Sequence, residues 1–215
     1  MGRSKGAEVA WTAEERALLA SLRSTEQIQE LLDATPYSTE PIYRSPRSVL
    51  RDRRAHCLDG ALLAAAALRS LGDPPLIVDL RAVRDDDHVI AIFKRRGRVG
   101  AIAKSNVVGL RYREPVYRSL RELAMSYFDD YFNLEREKTL RSYSVPLDLR
   151  RWDRLSWMVR DEPIDAIVTR LDDARHHALL TPAMVKALAP VDRRSYDAGF
   201  MGADHAGLYG AKKPA

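Results

Sequence analysis

The chain has 215 residues, 46% hydrophobic and 30% charged, with one cysteine and a formal net charge of +5. A single cysteine excludes an internal disulfide framework and points to a reducing compartment, read here as the cytoplasm; no run nears the roughly 20 apolar residues that span a bilayer, and residues 1–10 lack a secretory apolar stretch, so no membrane partner is expected. The 35 basic residues alternate with 30 acidic ones, as in Arg51-Asp52-Arg53-Arg54, which marks solvated helix faces and speaks against a nucleic-acid partner.

Thr12-Ala13-Glu14-Glu15 is a capping-box pattern, in which the Thr12 hydroxyl and the Glu15 carboxylate each satisfy a backbone N–H of the other. It predicts a helix with Ala17, Leu18 and Leu22 on its inner face. A second helix is expected over 25–34, with Ile28, Leu31 and Leu32 inward. Pro36 and Pro41 bracket a loop over 37–43, and Ser45-Pro46 supplies an N-cap and a first-turn proline for a helix toward Arg53. Cys57 then precedes an Ala- and Leu-rich run, 61–71, that reads as a buried helix closed by Gly72 and Pro74-Pro75.

Residues 76–80 form a short apolar strand, Asp85-Asp86-Asp87 a charged turn, and 88–94 a second strand that is apolar on both faces and hence central. Arg96-Gly97 is a tight-turn signal returning the chain as a third strand over 98–104. Residues 112–115 read as a polar connection, and 117–128 as an amphipathic helix with Leu120, Leu123, Ala124 and Tyr127 inward. No element is assigned to 132–143. Helices are expected over 163–171, capped by Asp161, and from Thr181-Pro182 through Leu188. The Gly- and Lys-rich end, 199–215, reads as loose. Helices, then a helix with a small sheet, then helices again is an α+β order.

The chemistry centres on Cys57. A helix start leaves N–H groups without partners and carries partial positive charge, which favours a thiolate. His88 follows near the start of a strand, and a helix-borne thiol with a strand-borne imidazole is the arrangement of a thiolate–imidazolium pair. His56 fits a helix-start role. Asp59, in the first turn, opposes the helix dipole and slightly counters thiolate formation. Three consecutive Asp residues cannot all point into one site from extended chain, so 85–87 reads as a solvated turn and not a cation site. His176-His177 are adjacent and make no metal pair on a helix. No metal or other cofactor is expected. Tyr127, Phe128, Tyr131, Phe132 and Tyr143 read as core and interface aromatics.

The block Cys57-Leu-Asp-Gly-Ala-Leu-Leu-Ala-Ala-Ala-Ala-Leu-Arg-Ser-Leu-Gly-Asp-Pro-Pro-Leu-Ile-Val resembles the transglutaminase-like core, with a Cys opening a helix, a Leu-Arg-x-Leu-Gly helix end and a proline-containing lead into a strand. Asp87-His88-Val89-Ile90-Ala91 and Gly97-Arg98-Val99 resemble its histidine strand and following hairpin. The resemblance covers about residues 45–110; Ser45-Pro-Arg-Ser-Val-Leu50 and Arg118-Ser-Leu-Arg-Glu-Leu-Ala-Met-Ser-Tyr127 resemble a bacterial subgroup, which brings no substrate with it. It implies a papain-like fold, a Cys-bearing helix on a small antiparallel sheet within a single domain, 1–215. Residues 1–44 and 111–200 would be helical flanks and 201–215 a loose tail. It implies Cys57 as nucleophile and His88 as base.

The superfamily usually adds an Asp, and the corresponding position here is Ala103. A two-residue turn at Arg96-Gly97 sets His88 opposite Ser105, and a three-residue turn brings up Asn106, which resembles a Cys–His–Asn arrangement. The expected function is acyl-group chemistry on a peptide, protein or small-molecule amide through a thioester at Cys57, by hydrolysis or transfer. The Cys57 N–H would be an oxyanion donor. The alternative is an inactive scaffold that binds such a molecule in the old cleft.

Overall fold

The computed structural model describes residues 10–211; residues 1–9 and 212–215, on which the leader reading and the last part of the tail reading fall, lie outside it. The capping box forms as expected: Thr12 caps α1 (Ala13–Ser21) with Glu15 reciprocating. The buried face of α1 is Leu19 with the following Leu22, whereas Leu18 is exposed. α2 (Thr25–Asp33) buries Ile28, Leu32 and the amide of Gln29, and α3 (Pro46–Asp52) begins at the Ser45 cap with Pro46 in its first turn. Asp161 does not cap the later helix; its carboxylate instead accepts the Ser45 N–H at 2.7 Å and the Ser48 hydroxyl at 2.9 Å.

α4 (Cys57–Ser70) is buried on every side from Leu58 to Leu68 and apolar throughout from Gly60 to Leu68, and a helix of that kind has to be enclosed. It lies between α1, α2 and α3 on one side and the sheet on the other. Gly72, at φ +91°, turns the chain out of it into β1 (Leu76–Ala82). β2 (His88–Arg95) and β3 (Arg98–Ile102) form a hairpin about Arg96 and Gly97, both at positive φ, the conformation of the tightest hairpin turns.

Residues expected as a polar connection instead form an edge strand, β4 (Arg113–Tyr117), held against β3. α5 (Leu120–Met125) is shorter than its apolar pattern suggested. The unassigned region supplies β5 (Leu140–Ser144), followed by β6 (Leu147–Asp148), α6 (Ile164–Asp172), β7 (His176–Ala178), α7 (Pro182–Lys186) and α8 (Arg193–Gly199). The result is an α+β chain with a seven-stranded antiparallel sheet, ordered β4-β3-β2-β1-β5-β7, with β6 also paired to β1. His176 and His177 therefore stand on a strand, where His176 meets the buried carboxylate of Asp79 at 2.9 Å.

Two apolar cores lie on the two faces of the sheet. Ile77, Val89, Ala91 and Phe93 pack with α4, joined by Ile28 from the N-terminal flank and Trp157 and Ile167 from the C-terminal one. Val78, Leu80, Ile90 and Ile92 face Leu123, Tyr127 and Tyr131 in the second core. Period-2 alternation along β2 thus decides which face each residue serves. Among the described residues no helix is long and apolar enough to cross a membrane.

Candidate active site

Cys57 is the first residue of α4 and His56 is its N-cap. His56 Nδ1 accepts the Leu58 N–H at 3.2 Å, so the neutral ring carries its proton on Nε2, which faces the Ile42 carbonyl at 3.2 Å. With both nitrogens engaged, His56 holds the helix start and does not act on the thiol. The Cys57 N–H has no hydrogen-bond partner among the described residues. The thiol itself donates to the Asp87 carbonyl at 3.8 Å. Burial pushes it up to about 11, with the nearby Asp86 and Asp59 carboxylates adding to the rise and the Val89 and Leu58 N–H groups opposing it. Desolvation therefore outweighs the partial charge of the helix start, and the resting group is a thiol, contrary to the expectation from position alone.

His88 opens β2 and belongs, by alternation, to the second face of the sheet. His88 is 4% exposed, and its ring lies edge-on to Tyr127 and Tyr131, at 6.4 and 6.5 Å between centroids. Nε2 meets the Leu110 carbonyl at 2.8 Å. A carbonyl only accepts, so Nε2 carries the proton and Nδ1 keeps a bare lone pair. Burial pushes the imidazole down to about 4, against the Leu110 bond. Nδ1 has no hydrogen-bond partner among the described residues.

Thiol and imidazole thus reach the start of β2 from opposite faces of the sheet, and no hydrogen bond joins them among the described residues. Both are neutral at pH 7. The thiolate–imidazolium pair is absent at rest.

Ser105 and Asn106 do not orient His88. The β2–β3 ladder follows the expected register as far as Ala91 opposite Ile102. There Gln29 of α2 takes both main-chain groups of Ala103, donating to its carbonyl at 3.0 Å and accepting its N–H at 3.1 Å. The chain is drawn toward α2 and leaves β2, so Ser105 never comes opposite the imidazole. The Ser105 hydroxyl accepts the Val107 N–H at 2.9 Å, and Asn106 pairs with Asp204. Ala103 is fully buried in the second core, on the face that His88 serves. The Leu110 main-chain carbonyl fills the orienting role, and no side-chain type in the sequence marks such a group.

Cys57, His88, Ser105 and Asn106 nonetheless line one cleft of about 650 Å³. Its other walls are the loop 37–43, the Asp85–Asp87 turn, Tyr131 and the segment 206–211. The turn is held from within, not merely solvated. The Tyr131 hydroxyl donates to the Asp86 carbonyl at 2.6 Å, Asp87 accepts the Ala82 N–H at 2.7 Å, and Asp85 accepts the Thr139 hydroxyl at 2.7 Å. This fixes the Asp87 carbonyl against Cys57.

Burial pushes the Asp85 carboxyl up to about 6 from an ordinary 3.8. A carboxyl raised on folding contributes stability that is fully present below the unfolded value and is lost as pH rises through the folded one. Asp85→Asn, which keeps the oxygen facing the Asp86 N–H, is expected to stabilise the protein by about 1–2 kcal/mol at pH 7 and not at all near pH 4. Urea unfolding at both pH values measures the difference; an equal change at both would place the effect outside the titration.

Among the described residues no group of three or more His, Cys, Asp or Glu is disposed to hold a metal ion. Compared with models of known protein families and with curated proteins, the chain matches none.

Proposed function

We propose that the protein carries out acyl-group chemistry on an amide or related substrate through a thioester at Cys57, on a core of transglutaminase-like, papain-related architecture. One observation supports this above the others: a helix-start thiol and an imidazole with a free Nδ1 lone pair line the same cleft. In the reaction, the Cys57 side chain leaves the Asp87 carbonyl and turns into the shared cleft, where His88 Nδ1 takes the thiol proton as Sγ attacks the acyl carbon. The oxyanion meets the free Cys57 N–H at the head of α4. His88 returns the proton to the departing nitrogen, leaving a thioester. Water or an amine, deprotonated by Nδ1, then cleaves it and regenerates the thiol. The Leu110 carbonyl stabilises the imidazolium less than a carboxylate would, so turnover is slow.

An activated acyl ester such as p-nitrophenyl acetate tests the reading. Wild-type protein should gain an acyl group on Cys57 by intact mass, at a rate that falls as pH drops through about 4, where His88 protonates. His88→Gln should slow acylation by about 10²-fold or more, and Cys57→Ser should abolish the thioester. Equal acylation rates with and without the imidazole would end the proposal. The bond from the thiol to the Asp87 carbonyl favours a second reading, a silent cleft that binds a peptide, protein or small molecule; under it Cys57→Ser keeps full binding and no adduct forms.

A further inference from the structure

The end of the described chain does not trail into solvent. Residues 206–211 form one wall of the cleft that holds Cys57. We propose that the cleft is built to take an extended polypeptide and that residues 203–209 are its resident occupant, a strap that has to swing out before Cys57 meets a substrate. The identity of the substrate rests on the acyl-chemistry reading; the strap rests on geometry alone.

Asn106 supplies the first argument. Its Nδ2 donates to the Asp204 carbonyl at 2.7 Å and its Oδ1 accepts the Asp204 N–H at 2.8 Å. A side-chain amide that satisfies both main-chain groups of one residue treats that residue as a neighbouring strand would. It reads peptide backbone, which any polypeptide segment offers and a small-molecule amide does not.

Gly207 supplies the second. A Cβ there would lie 3.0 Å from both Tyr37 and Thr39 and 3.1 Å from Asn106 Nδ2, tighter than ordinary contact, so a larger residue seats the strap this deep only by pushing those side chains back. Third, Gly202 and Gly210 both have φ +71° and flank the segment, placing a conformationally permissive residue at each end. Between them a short 3-10 turn, His205–Gly207, is closed by Asp204 accepting the Ala206 N–H at 3.0 Å, so the strap can leave as a preformed unit. Most of its residues are exposed, and its side-chain clasp to the cleft wall is the Asn106 pair. Segments with so few buried contacts open at low cost.

The test reads how fast Cys57 of the full chain reacts with a bulky maleimide at fixed pH. Asn106→Ala removes the clasp and Gly207→Val expels the strap; each should accelerate labelling by about tenfold, the worth of one to two net hydrogen bonds. The free peptide Asp-His-Ala-Gly-Leu-Tyr-Gly-Ala, added at about the millimolar level that a tethered segment experiences, should return Gly207→Val to the slow rate and leave Asn106→Ala fast. Unchanged labelling in both variants, peptide protection that ignores Asn106, or the same acceleration in the remote core variant Ile167→Val would each overturn the strap. Those outcomes leave the His88 dependence of acyl transfer untouched, and loss of that dependence leaves the labelling ratios untouched.

Discussion

Gly60→Ala is expected to destabilise the protein by about 3 kcal/mol, although alanine is the better helix former by about 1 kcal/mol. Gly60 lies in the first turns of α4, where a Cβ would overlap the Cβ of Lys104 and approach its Cγ to 3.2 Å. The sign turns on whether Lys104 can yield, and it is fixed at both ends. Its main chain follows Ala103, which Gln29 grips through two hydrogen bonds. Its ammonium is buried against the carbonyls of Leu32 and Thr35 at the end of α2, where a cation complements the helix dipole. Relief would require α4 and the strand extension to separate, opening voids in a core that includes Leu63 and Ile102. Urea unfolding should show a lower midpoint at unchanged slope. A neutral result would mean that the Lys104 segment moves freely, and Ser105 and Asn106 with it.

Much of this arrangement was legible because local chemistry decided it. Thr12 with Glu15, Ser45 with Pro46, and Arg96 with Gly97 each satisfy or preset their own backbone, so the elements they begin or join stand where the residues placed them. The α4 run could only be enclosed, and the hairpin register followed from its turn. What was not legible depended on partners distant in sequence. β4 forms from residues that look like a polar connection because β3 offers an unpaired edge. Ser105 misses His88 because Gln29, 74 residues away from Ala103, competes for the strand. The thiol's environment is set by burial, which outweighs a helix-start effect that sequence position does reveal. The group that orients the imidazole is a main-chain carbonyl, invisible to any reading by side-chain type. The tail looked loose because its composition is, yet Gly207 brings it close against Tyr37 and Asn106.

Asp59→Ala should cost more than any other change near the cleft, about 3–5 kcal/mol. The sequence places Asp59 in the first turn of α4, opposite the helix dipole; the structure buries it completely and gives it a larger task. Its carboxylate accepts the Arg44 N–H at 2.8 Å and the His56 N–H at 3.3 Å, and it lies 3.6 Å from the Arg44 guanidinium. Arg44 is itself buried and shared with Glu40, Asp52 and Ser38. Alanine would leave two backbone donors unsatisfied and remove one of the carboxylates around a desolvated cation. The loop 37–43, one wall of the cleft, would lose its tie to α4, and the cap that places Cys57 would lose half of its bonds. Asp59→Asn separates charge from hydrogen bonding. Burial raises the Asp59 carboxyl above its ordinary value, opposed by His56 and Arg44, so the charge is itself costly in the fold. A neutral amide that still accepts the Arg44 N–H is therefore expected to lose only about 1 kcal/mol at pH 7. Because the folded value is raised, wild-type Asp59 gains relative to the amide as pH falls toward the unfolded value, so the Asn penalty should grow in acid. Chemical unfolding at pH 7 and pH 4, with hydrogen exchange at the Arg44 N–H, resolves the two contributions. Equal losses for Ala and Asn at pH 7 would show that the charge, and not the bonds to Arg44 and His56, holds the helix start in place.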